Sequence, residues 1–373
     1  VLALSLLAGY ITNKLWISET LICLLVGIAL RPVLDAVGEE GVLTFDRFTA
    51  LEEATRVTLG IAVMGVALRL PAGFVTEQWR DLAIVLLPGL VLMWLTGAAI
   101  AFGLLGLALL PALLLGAIVA PTDPVVASSI VGGKLAEHSI RAPVRHLISA
   151  ESAANDGLAL LFVMLPLLLL TKAHGEAITE WGLRVLLWEV AGGALLGAAA
   201  GLATGRLFVW VKSRPLAEDQ SLLSIALALT LTVLAAVRLI DGDGILAVFI
   251  AGLMFKREIV GAETRQSHLH GAITRFFDLP AFVLIGISLP WGQWRDLGWA
   301  GIAFAAALIL FRRLPWWLIL SRRLRVVRRR EEAMFAGWFG PVGVAAAYYS
   351  MLATRPILRC SGPRRAWQFW LRW

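Results

Sequence analysis

Thr122, Asp123, Glu151, Ser152, Asn155 and Asp156 are the residues of this chain whose types and spacing could do ion chemistry. They fall in two apolar runs. ALLLGAIVAPTDPVVASSIVGG carries Asp123 between Pro121 and Pro124, and HLISAESAANDGLALLFVMLPLLLL carries the other four functional groups near its start. A carboxylate near the bilayer centre costs about 2.5–3.5 kcal/mol on insertion scales, so a sequence that keeps several there is using them. Proline lacks an N–H and disfavours helical geometry in the residue before it, which predicts an unwound turn at Thr122-Asp123. Such a turn exposes carbonyls and half-helix ends at membrane depth, as ion sites of secondary transporters do. A Pro-kinked helix with a satisfied Asp, or a loop tip between two short spans, is the plainer alternative.

The second run weighs against that alternative. At helical spacing Ser152 and Asp156 are i,i+4 and share a stripe, and Glu151 and Asn155 share the next. Set against Thr122-Asp123, they supply several hard oxygen atoms in a small space, which suits a hard cation rather than zinc or copper. Two carboxylates close together in a dry site cannot both stay ionised cheaply, so either a proton or a cation must neutralise them. Competition of the two for one acid is the core of an exchanger.

The elements that must position these groups read as membrane helices. Of 373 residues, 59% are hydrophobic and 16% charged, against about 45–50% and 25% for a soluble domain. The sequence predicts an all-α polytopic protein with twelve spans: 1–11, 17–34, 54–71, 82–108, 109–133, 146–170, 183–211, 219–240, 243–257, 274–292, 297–320 and 331–354. Alternate loops are rich in basic residues: Lys134, Arg141 and Arg145; Lys212 and Arg214; Lys256, Arg257, Arg265 and Arg275; then SRRLRVVRRREE. That alternation supports the span pattern and marks the rich side as cytoplasmic. It also accounts for the net charge of +7 without a nucleic-acid partner. Two cysteines, Cys23 and Cys360, make neither a disulfide framework nor a zinc site. Glu52, Glu53 and Arg56 read as an interfacial cluster, Asp241 and Asp243 as loop residues, and the five histidines as solvated. The glycines of EVAGGALLGAAAGLATG suit close helix packing. The chain opens on Val1 inside an apolar stretch with no basic leader, so a helix or part of one is expected to precede it. The tail 356–373, with clustered Arg and Trp, has no clean span and is left outside a transmembrane domain spanning 1–355.

PTDPVVAS followed by ESAANDG resembles the sodium/proton antiporters of the monovalent cation/proton antiporter-1 family. DGDGILAVFIAGLMF, FFDLPAFVLIGISLPW, LFRRLPWWLIL and GWFGPVGVAAAYYS extend the match, the last three being most similar to the fungal plasma-membrane antiporters and their bacterial relatives. The resemblance implies an inverted-repeat fold with discontinuous helices, thirteen in a full-length protein, a homodimer in the plasma (inner) membrane, and no cofactor. It implies that Asp156 carries Na⁺ (or Li⁺ or K⁺) and H⁺ in turn, with Asp123, the Thr122 carbonyl and Ser152 as further ligands of the transported cation. Asn155 stands where electrogenic relatives have a second Asp, which implies electroneutral exchange. Glu151 would pair with an arginine of LFRRLPWWLIL, either Arg312 or Arg313; the other reading for these arginines is snorkelling to an interface. Gly340-Pro341-Val342-Gly343 departs from the Gly-Leu-Arg-Gly of many members. A K⁺/H⁺ exchanger, a channel or sensor on the same scaffold, and an intramembrane aspartyl protease using Asp123 and Asp156 are the rival functions.

Overall fold

A computed structural model describes residues 18–37, 47–131, 134–214, 222–259 and 269–361. Its main helices are α1 (Glu19–Val37), α2 (Arg47–Arg69), α3 (Trp79–Leu105), α4 (Leu109–Val119), α5 (Pro124–Val131), α6 (Ala142–Thr171) and α7 (His174–Lys212). They continue with α8 (Leu222–Leu239), α9 (Gly244–Ile259), α10 (Leu269–Ser288), α11 (Trp291–Phe311), α12 (Leu314–Leu320), α13 (Arg330–Trp338) and α14 (Val344–Ser361). Six helical stretches among the described residues are long and apolar enough to cross a membrane: Trp79–Leu105, Leu109–Ser128, Ala142–Thr171, His174–Lys212, Leu222–Leu239 and Trp291–Arg323. The helix is the form that satisfies backbone polar groups within one segment, which lipid demands. Leu95, Phe102, Leu195, Ile302 and Ile309 stay exposed on the outer surface of the bundle, where acyl chains would cover them.

Apolar side chains gain little by leaving lipid for protein, so close packing has to hold the helices together. Small residues provide it. Gly193, Gly197, Gly201 and Gly205 lie along one stripe of α7, and all four are buried. A Cβ on Gly197 or Gly201 would run into the carbonyl of Ala247 or Ala251 on α9. The packing role expected for this glycine-rich stretch is what the two helices show. α6 is threaded through the middle, its Leu147, Ile148, Ala150, Ala153 and Ala154 buried in the main core.

The expected spans from 17 onward all have helical counterparts, with three revisions. The stretch expected as one span over 331–354 is two half-helices, α13 and α14, joined by a non-helical Phe339–Gly343. The span at 297–320 starts earlier, at Trp291, and breaks at Arg312-Arg313 between α11 and α12. The last helix runs on to Ser361, past the expected end of the span and into the tail, continuing through Pro356. The expected span at 1–11 and residues 362–373 of the tail lie outside the described residues.

Candidate functional site

The unwound turn predicted at PTDP is present: α4 ends at Val119, α5 begins at Pro124, and Ala120 to Asp123 between them are buried. It meets the second break, Phe339–Gly343, and the two are tied directly, the Asp123 N–H donating to the Pro341 carbonyl at 3.0 Å. Four half-helix ends therefore converge in the protein interior. Helix C-termini expose unpaired carbonyls with partial negative charge, and N-termini expose N–H groups with partial positive charge.

Each kind of end is met by one buried side chain. Asp123 accepts the Val125 N–H of α5 on Oδ1 at 2.7 Å and the Val344 N–H of α14 on Oδ2. Arg312 donates to the carbonyls of Val119, Ala120 (2.9 Å) and Pro121 (3.1 Å) after α4, and to that of Gly340 after α13. One acid thus caps two N-termini and one base caps two C-termini. The close approach depends on glycine. A Cβ on Gly343 would overlap the Asp123 carboxylate, and one on Gly340 would overlap the Arg313 side chain. Gly-Pro-x-Gly inside an apolar run is a turn signal, and it could have located this second break.

Arg313, not Arg312, is the partner of Glu151. Its Nη1 donates to Oε1 at 2.7 Å and its Nη2 to Oε2 at 2.9 Å, with side-chain exposures of 2% and 0%. Its Nε donates to the Ala336 carbonyl at 2.9 Å, and the guanidinium lies 4.9 Å from the Trp317 ring centroid. Such a two-pronged pair uses the planar fork that only Arg has. Neither arginine snorkels. Asn155 extends this network: its Nδ2 donates to Glu151 Oε1 at 2.9 Å and to the Thr122 hydroxyl at 2.8 Å, while its Oδ1 accepts the Thr122 N–H at 3.3 Å. The Asn155 amide thereby fastens α6 to the unwound turn.

Asp156, the next residue, is the exception. It is fully buried, yet neither carboxylate oxygen has a hydrogen-bond partner among the described residues. Asp123, Glu151 and Asp243 are near enough to act on it electrostatically. The Ser152 hydroxyl, one turn earlier, spends its proton on the Ile148 carbonyl at 2.8 Å, so its oxygen lone pairs remain for a ligand. On the far side the Tyr349 hydroxyl of α14 donates to the Asp156 backbone carbonyl, a contact that sequence reasoning missed. Gly157 lets the backbone of Leu246 on α9 come close at the same level.

Asp243 lies in a loop as expected, directly before α9, and is 5% exposed, its Oδ1 capping α9 by accepting the Ile245 N–H at 2.9 Å and the Leu246 N–H at 3.2 Å. One other expectation is corrected. His146 is half-buried against the Phe74 ring, with centroids 5.5 Å apart, instead of standing in solvent. Of the expected cluster, Glu53 binds Arg56 at 2.8 Å and also reaches Arg238, whereas Glu52 is buried.

Comparison with known proteins decides the family. The description "Sodium/hydrogen exchanger, transmembrane" matches residues 2–359. The chain belongs to the sodium/hydrogen exchanger family. Among curated members of the family, a protein of Schizosaccharomyces pombe named as a probable Na(+)/H(+) antiporter is 32% identical over 311 residues, covering 81% of this chain and 41% of that protein. Na(+)/H(+) antiporter 2 of Zygosaccharomyces rouxii is 30% identical over 354 residues, covering 92% of this chain and 43% of its own length. The chain thus spans about two-fifths of the length of these exchangers. K(+)/H(+) antiporter NhaP2 of Shewanella is 27% identical over 360 residues, 95% of this chain and 60% of that one. In fold, the chain is similar to the sodium proton antiporter MjNhaP1 of Methanocaldococcus jannaschii, with a TM-score of 0.76 at 18% identity, covering 96% of this chain and 84% of that one. Exchanger membership makes this a multi-pass membrane protein of a transporter family and removes the protease reading. The geometry agrees on the last point, since a protease dyad needs two acids facing one water and Asp123 is committed to backbone N–H groups.

Proposed function

We propose that this chain exchanges Na⁺ (or Li⁺ or K⁺) for H⁺ by alternating access, with Asp156 as the shared carrier. The observation that carries this reading is the buried, unpartnered carboxylate of Asp156 beside a network in which the other charges are compensated. A bare buried carboxylate is unfavourable, so it must hold either a proton or a cation. Ser152, the Thr122 carbonyl, Asp123 and Asn155 complete the surroundings of the cation, the last two also holding the unwound turn in place. The stoichiometry follows from charge. Glu151 is neutralised by Arg313 and Asp123 by two helix N-termini, which leaves one acid to load and unload, one cation against one proton. The exchange is then electroneutral.

The remaining parts of the proposal rest on the family resemblance: one transmembrane antiporter domain over 1–355, an inverted repeat carried by about twelve spans, a homodimer, and residence in the plasma (inner) membrane. The K(+)/H(+) antiporter among the relatives favours keeping K⁺ as a second candidate cargo.

The test uses purified protein in sealed liposomes containing a pH dye, with an imposed proton gradient and added Na⁺, Li⁺ or K⁺. Cation-driven pH recovery that ignores a valinomycin/K⁺ voltage clamp and vanishes in Asp156→Asn is the expected result. Recovery that persists in that variant would move the carrier elsewhere, and recovery that follows voltage would overturn the one-for-one exchange. Because proton and cation compete for one acid, acidification should raise the apparent Km for the cation by up to about tenfold per pH unit, leaving the maximal rate at saturating cation unchanged.

A further inference from the structure

We infer that the loop between α12 and α13 is a binding site for a phosphate group, held by Arg322, Arg328, Arg329 and Arg330. These four arginines border a cavity of about 450 Å³, lined also by Leu318 and Ser321. That volume falls within the range of about 300–1,000 Å³ typical of small-molecule pockets. The four side chains are exposed around it, and none makes an ion pair with a described residue. Guanidinium groups present donors in a planar fork that matches phosphate oxygens, and a cluster of them satisfies a doubly charged group better than any single base.

A basic loop on the cytoplasmic side would ordinarily be a solvated topology signal. This one is built. Leu324, Val326 and Val327 are buried at 5%, 6% and 8% exposure, so the loop is folded back onto the protein. Its backbone is pinned through both polar groups of one residue, Val326, and beyond. The Val326 N–H donates to the buried Asp81 at 2.8 Å, and its carbonyl accepts from Arg141 at 2.7 Å. Glu332 accepts the N–H groups of Arg328 at 2.8 Å and Arg329 at 3.2 Å while binding Arg141. Asp81 and Glu332 therefore hold the loop's backbone, while Glu331 is exposed beside Arg330 and makes no ion pair with the cluster. The preordered cluster faces the membrane side expected to be cytoplasmic, where anionic lipid head groups and soluble phosphates both occur. The shared chemistry is a phosphomonoester or diphosphate, and the experiment separates its two sources.

The full chain in detergent would be titrated by native mass spectrometry with dioctanoyl phosphatidic acid, with dioctanoyl phosphatidylcholine, and with inorganic pyrophosphate. Phosphatidic acid should bind and phosphatidylcholine should not. Displacement of the lipid by pyrophosphate, which needs no variant, would show one shared phosphate subsite. Comparable affinity for pyrophosphate alone identifies a soluble anion as the ligand, and much weaker affinity identifies the lipid. Arg328→Gln with Arg330→Gln should weaken binding by about tenfold or more, the factor set by losing one charged hydrogen bond. Arg323→Gln with Arg325→Gln removes the same charge from exposed positions that do not line the cavity and should leave binding within a factor of about two, the scale of diffuse surface electrostatics. Equal losses in the two variants, or no binding of either phosphate compound to the wild-type chain, would overturn the site.

Discussion

The crossing of the unwound turns and the carboxylate beside it handle buried charge in opposite ways. At the crossing, Asp123, Arg312, Glu151 and Arg313 are all buried, and each has partners. A few residues away Asp156 is equally buried and has none among the described residues. Under the proposed function, the contrast is one between scaffold and carrier. Charges that hold four half-helix ends together must stay ionised and matched, whereas a charge that moves ions must be left incomplete so that its partner can change. Burial alone does not distinguish the two. Hydrogen-bond accounting does.

Substitutions can break or sharpen that contrast. The largest effect on transport is expected from Asp156→Asn, which should abolish cation-driven pH recovery in liposomes. Because no native hydrogen bond is lost, its thermal midpoint should equal or exceed that of the wild type; a clear drop would mean that Asp156 is part of the scaffold after all. Glu151→Gln should do the reverse first, costing about 3–5 kcal/mol of stability because it strands Arg313 in the interior. Glu151→Gln combined with Arg313→Met should recover part of that loss in thermal unfolding, whereas a pair unimportant to stability would give additive effects. Gly343→Ala should cost about 1–3 kcal/mol through overpacking against the Asp123 carboxylate, with slower exchange, since both capped helices must shift to make room. Tyr349→Phe is the smallest, about 0.5–1.5 kcal/mol for one hydrogen bond to the Asp156 carbonyl. It should change the maximal rate more than the cation dependence, because that bond positions the carrier and does not ligate the ion.

Much of this division was legible in the sequence. Two prolines around Thr122-Asp123 fix an unwound turn by local backbone chemistry, and i,i+4 spacing alone places Ser152 with Asp156. The helical spans follow from apolar runs, since lipid imposes the same rule on every segment. What was not legible depended on contacts between distant parts of the chain. Nothing local distinguishes Arg312 from Arg313, because both are arginines in one apolar run. Their opposite tasks arise from a break in the helix that points one toward the carbonyls of Val119–Pro121 and the other toward Glu151. The span expected from 243 already placed the start of α9 beside Asp243, but nothing local showed that this capping acid would be buried. The second break, at Phe339–Gly343, did carry a local signal, yet its meaning came only from the first break lying against it.

The pairing of Glu151 with Arg313 also bears on how the protein is made. The two residues are 162 positions apart. At a synthesis rate of about 5–20 residues per second, Glu151 waits roughly 8–30 s for its partner to be built. Throughout that interval α6 resides in or beside the membrane with its acid matched only by neutral donors such as Asn155 and Thr122. The arrival of α11 and α12 is then the step that locks the earlier helices in place. A chain stopped before Arg313 would leave Glu151 without its guanidinium on an unsecured helix, and cellular quality control would meet it as an orphaned acid in lipid.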